Sequence, residues 1–200
     1  MNKRELFLVI IAVSAVVLVA GSYGCYYAYA TMVLVPEDLN TLKSELNSIN
    51  NSVIIPESDI QKVDTLADQF ESGELVLVSD SQRKTVADSM RSDPSFYNLD
   101  STMQQVKKNF TVNREIASRY DFILKEDVAN DIRSIYSDDY LQTAENICRI
   151  YQKMPEDFEN GDKNVIIADF RNYTANARKL NNQTAQAKVK LEDVILKLES

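Results

Sequence analysis

Residues 166–198 read IIADFRNYTANARKLNNQTAQAKVKLEDVILKL. Within them Ile166, Phe170, Tyr173, Ala177, Leu180, Thr184, Ala187, Leu191, Val194 and Leu198 alternate steps of four and three without a break. That spacing is an apolar helical face. A straight α-helix drifts about 20° per heptad against a strict seven-residue repeat, so keeping the repeat over some four and a half heptads favours supercoiling against a partner helix. As a single helix, 162–199 is about 57 Å long. A compact chain of the size of residues 36–200 is only about 40 Å across. This stretch therefore predicts an all-α, elongated helical bundle with coiled-coil-like seams.

The rest of that region fits the same class. Only Gly73 and Gly161, with Pro36, Pro56, Pro94 and Pro155, punctuate residues 36–200, which suits long helices and not a many-turned β fold. Leu39, Leu42, Leu46, Ile49 and Val53 mark one helix with Pro36 at its start. Ile60, Val63, Leu66, Ala67 and Phe70 mark a second, closed by Gly73. Ser79 with Gln82 forms a capping box for a third, while 74–78 reads as helix or irregular chain. After Pro94 a seam of Phe96, Leu99, Met103, Val106, Phe110, Asn113, Ala117, Tyr120 and Leu124 holds a seven-residue repeat and then shifts to Val128, Ile132 and Ile135, with a break near Ser137, Asp138 and Asp139. Leu141, Ala144, Ile147, Cys148, Tyr151 and Met154 form another helix that stops at Pro155. The expected helices are 37–53, 57–72, 79–92, 95–136, 139–154 and 162–199. The seam of 166–198 is expected to pair with the Phe96–Leu124 seam of the same chain.

Ahead of this body, the thirty residues Leu6–Val35 carry no charge; Lys3 and Arg4 precede them and Glu37 and Asp38 follow. About 20 apolar residues suffice to cross a bilayer as a helix. Residues 6–27, with Leu6, Phe7, Ile10, Ile11, Val17, Leu18, Tyr26 and Tyr27 facing lipid, are the candidate span. The positive flank orients residues 1–5 to the cytoplasm and 36–200 to the extracytoplasmic side of the cell membrane. Residues 1–35 thus form a cytoplasmic stub and signal-anchor. Two other readings compete: a cleaved secretory signal ending at Ala28-Tyr29-Ala30, and a lipoprotein signal with Cys25 as the lipid-attachment residue. Ala20, Gly24 and Ala28 recur every four residues, a small-residue face on which two such helices can pack.

Composition narrows function. Setting aside Lys3, Arg4 and Glu5 from totals of 22 basic and 30 acidic residues leaves the body at a net charge of about −9. A surface of that sign repels phosphate backbones, which argues against nucleic acid as a partner. The chain has no histidine and two cysteines, Cys25 and Cys148, so the usual general base and the usual zinc ligand sets are missing. The acidic turn Glu156, Asp157, Glu159 and Asp162 lacks the alternating ligands of an EF-hand loop, and Asp127 with Asp131 reads as a charged outer face. No nucleophile elbow or phosphate-binding glycine loop occurs. The expectation is no catalytic residue, no cofactor and no metal. Asn50, Asn109, Asn172 and Asn182 head Asn-x-Ser/Thr sequons, which bear glycans only in a glycosylating compartment.

The expected function is a membrane-anchored interaction or structural/scaffold module of the cell envelope. It contacts the bilayer through residues 6–27 and a protein partner, or its own copies, through the body. The alternatives are a helical ligand-binding or sensory ectodomain working through a partner and, behind it, an envelope enzyme.

Overall fold

The computed structural model describes residues 3–51, 55–76, 79–92, 94–123 and 126–200. The side chains of 3–12, 50, 51, 94–100, 102 and 126 lie outside that description. All regular elements among the described residues are helical, with no strand: α1 (Lys3–Tyr29), a π-helical turn (Ala30–Leu34), α2 (Val35–Asn51), α3 (Glu57–Ser72), α4 (Asp80–Arg91), α5 (Pro94–Phe122), α6 (Glu126–Ile135), α7 (Asp138–Asn160) and α8 (Lys163–Glu199).

α8 is the spine. It packs on α7, α3, α6 and α2. Tyr140 meets Thr184, Tyr151 meets Tyr173 and Phe158 meets Phe170, so α7 and α8 form an antiparallel hairpin. Lys43 pairs with Glu199 while the Ile55 backbone bonds to Asn181, so α2 also runs antiparallel to α8. Two cores result. One gathers Leu42, Ile116, Tyr120, Ile132, Leu191 and Val194 around the C-terminal half of α8. The other gathers Phe70, Met154, Phe158, Ile166 and Phe170 around its N-terminal half. Burying such side chains contributes about 1.5–3 kcal/mol each.

The caps follow local chemistry. Ser79 accepts from the Gln82 N–H (3.3 Å), Ser137 from the Tyr140 N–H (3.1 Å) and Asp162 from the Asn164 N–H (2.9 Å), each occupying an otherwise orphan donor of a first turn. Gly73 and Gly161 close α3 and α7 at φ of +81° and +71°, a left-handed conformation open to glycine at no steric cost.

Four expectations need correction. In place of one helix over 95–136 there are two, α5 and α6. The Ile123 N–H turns back to the Tyr120 carbonyl (3.1 Å), and α6 folds antiparallel onto α5 so that Val128, Ile132 and Ile135 join the same core. α7 does not stop at Pro155 but runs on to Asn160, because Met154 and Phe158 bury on both sides of the proline and Gly161 supplies the actual stop. α8 does not pair with α5 as a two-helix seam: α5 packs on α6 and α7 and meets α8 only through the shared core. Nor does a helix begin afresh at Pro36, since α1, the π turn and α2 are one continuous helix. Proline has no N–H to give the Met32 carbonyl, and the widened turn, in which the Val35 N–H reaches the Ala30 carbonyl, absorbs that defect.

Candidate functional site

Two places carry chemistry beyond ordinary packing: the emergence of the apolar helix from the body, and a polar network buried within the first core.

From α1, Val13 through Val19 and the four tyrosines Tyr23, Tyr26, Tyr27 and Tyr29 are exposed, Leu18 by 73%. Val17, Leu18, Tyr26 and Tyr27 therefore face outward, while Leu6, Phe7, Ile10 and Ile11 are helical with side chains outside the described set. The helix containing this stretch is long and apolar enough to cross a membrane. Burial begins at Ala30 and continues with Asp38, Leu42, Glu45 and Ile49 on one face of α2. Asp38 is clamped by Arg119 of α5 through two hydrogen bonds, one of them Nε to Oδ2 at 3.3 Å. Burial pushes the Asp38 carboxyl above its ordinary range, and the Arg119 guanidinium works against that rise. The clamp fixes α2 to α5 a turn after the π segment, where the backbone is least regular.

Two turns further along, Glu45 is 5% exposed and receives a hydrogen bond from Asn113 Nδ2 at 3.1 Å. The Tyr136 hydroxyl also bonds to it. Asn109 Nδ2 donates to that hydroxyl (3.4 Å), and Gln105 Nε2 donates to Asn109 Oδ1 (2.6 Å). Among the described residues no cation pairs with Glu45, and Asn113 Oδ1 has no partner. Burial raises the Glu45 carboxyl to about 7, against the two hydrogen bonds that stabilise its charged form. A proton on Glu45 gives the pocket an additional donor. The network joins α2, α5 and Tyr136, just beyond α6, inside the core, where it sets their register and offers no access to a substrate.

Most of the candidate acidic groups are paired with neighbours, while Asp127 and Glu156 are exposed. Asp131 pairs with Lys197, Asp138 with Arg114, Asp139 with Lys179 and Gln183, Asp157 with Lys153, and Glu159 with Arg91. Among the described residues no three His, Cys, Asp or Glu side chains converge as a metal set. Burial, then the neighbouring Asp157 carboxyl, pushes Asp169 up to about 6. Cys25 is exposed and Cys148 half-buried. Of the sequons, Asn109 is sealed in the core by Tyr136 and Gln105, Asn172 and Asn182 are exposed, and the Asn50 side chain lies outside the description.

Along the expected seams, Met103, Val106, Ile166, Phe170, Leu191, Val194 and Leu198 are buried, and Phe110, Tyr173 and Leu180 half-buried. Phe96 and Leu99 lie on α5 with side chains outside the description, and Leu124 and Val53 lie outside the described residues altogether. Sequence reasoning missed Asp38, Glu45, Arg119 and Tyr136. A signal existed: Asp38, Leu42, Glu45 and Ile49 follow steps of four, three and four, so the two acids hold the same heptad register as the core leucine and isoleucine.

Fold and site together define an all-helical chain with one N-terminal helix compatible with a single-pass membrane anchor. No protein-family model matches it, and neither a curated protein nor a solved structure does.

Proposed function

We propose that the chain is a single-pass membrane protein whose helical bundle stands on the extracytoplasmic side and serves as an interaction or structural/scaffold module of the cell envelope. The observation that carries this reading is the contrast along one continuous helix. From Val13 to Val33 its large apolar side chains are exposed, whereas from Val35 onward one face of the same helix is built into a core. Leaving so much contiguous apolar surface in water is costly at about 25 cal/mol per Å²; a bilayer removes that cost. Lys3 and Arg4 orient the anchor by the excess of positive charge on the cytoplasmic side.

The face of α8 defined by Ile166, Ala177, Ala187, Leu191 and Val194 is spent inside the chain, so a partner engages other surface. Crosslinking in intact membranes followed by mass spectrometry tests the reading. Reproducible crosslinks from residues 36–200 to another envelope protein, or between copies, are expected. Crosslinks confined to one chain would contradict an interaction module.

A further inference from the structure

Phe122 ends α5 and is 67% exposed there. Its backbone carbonyl, one of the orphan acceptors of a helix end, lies 3.5 Å from the Tyr23 hydroxyl, which donates to it. Tyr23 is the first of the four tyrosines that close the apolar stretch, and tyrosines concentrate where bilayer meets water. The contact sets the tip of the body at the level of that belt.

The charges at this end suit such a position. Although the body is strongly acidic, Asp38 pairs here with Arg119, Asp121 with Arg133, Asp131 with Lys197 and Glu199 with Lys43. Asp38 is thereby balanced within the core, and the surface carboxylates of Asp121, Asp131 and Glu199 are each paired with a cation, which lessens, beside the exposed Glu37 and Asp127, the repulsion an acidic body meets from anionic headgroups. An exposed aromatic ring at that depth exchanges water for the interfacial zone, a favourable transfer for an apolar side chain.

We infer that the C-terminal end of α5, led by Phe122, seats in the headgroup region of the same bilayer, giving the body a second membrane contact beside its anchor. This rests on the anchor reading and adds to it. The body is then held in a fixed orientation and does not swing on the π turn.

The chain has no tryptophan, so single substitutions give clean depth probes. Phe122→Trp, Val13→Trp and Val76→Trp are made separately in the full chain and reconstituted into phosphatidylcholine vesicles carrying bromine at shallow or deep acyl positions. Val76 is exposed just after α3, beside the N-terminal half of α8 and so at the opposite end. The expected result is that Val13→Trp loses most emission to deep bromines and Phe122→Trp loses most to shallow ones, with Val76→Trp unquenched. Quenching at position 13 without quenching at 122, including a blue-shifted but unquenched probe at 122 that reports a protein contact, overturns the tip contact and leaves the anchor intact. No quenching at position 13 overturns the anchor and the tip with it.

Discussion

Asn113 Nδ2 lies 3.1 Å from Glu45 Oε1, with both side chains buried between α2 and α5 and no cation beside them among the described residues. A carboxyl group kept in that setting favours its protonated form, and the consequences reach the stability of the whole body.

Folded Glu45 keeps its proton up to about pH 7, whereas the ordinary value is 4.5. The folded state therefore binds more protons than the unfolded one between those values, and stability falls as pH rises through the window. The displacement corresponds to about 3 kcal/mol. Asp169, pushed up to about 6, adds a slope of the same sign. Urea unfolding of the full chain in detergent micelles at pH 5 and pH 8 is expected to show the loss. In Glu45→Gln, which keeps the carbonyl that accepts from Asn113, most of the loss is expected to vanish and stability at pH 8 to rise. An unchanged slope in Glu45→Gln would mean the network does not hold a proton.

Leu191 is fully buried and Leu180 only half-buried on the same helix. Leu191→Ala is expected to cost about 2–5 kcal/mol, the range for a cavity in a packed core, and Leu180→Ala about 1–2 kcal/mol, in proportion to the area it buries. Lys179→Ala removes an exposed ion pair with Asp139, so its effect stays within about 0.5 kcal/mol. Equal, mild effects at Leu191 and Lys179 in urea melts would contradict the position of α8 as the spine.

Gly161 and Gly73 share a left-handed backbone but not their surroundings. A β-carbon on Gly161 would fall 2.7 Å from Arg83 Cδ and Nε, while one on Gly73 meets nothing within 4 Å. Both Gly→Ala changes carry the left-handed cost of about 1–2 kcal/mol. Gly161→Ala is expected to cost more, and the excess is expected to disappear in an Arg83→Ala background, a coupling that a double-mutant cycle reads directly. Additive effects would show that Arg83 does not cover that turn.

Much of the helical layout was legible because the signals were local. Ser79 with Gln82, Gly73 after Phe70, and the ten-member repeat of 166–198 each act within one or two turns. What stayed hidden depended on tertiary packing. The heptad pattern holds to Leu124 and then shifts by one residue to Val128, Ile132 and Ile135, a break that fits a change of register within one helix as well as a hairpin that returns its second arm onto the first. Pro155 reads as a stop, yet the buried pair Met154 and Phe158 holds the helix through it. Asp38 and Glu45 occupy core positions of α2, but an acid at a seam position looks like solvent-facing charge until Arg119, Asn113 and Tyr136 are brought opposite from distant parts of the chain.

The proposed function depends on α1 crossing a membrane and carrying the helical body to its extracytoplasmic side. Protease added outside intact cells or spheroplasts, combined with carbonate washing of the isolated membranes, tests it most directly. The expected result is digestion of residues 36–200 without lysis, and retention of the undigested chain in the carbonate-washed membrane. Digestion only after lysis would contradict the orientation, and release by carbonate would contradict the anchor.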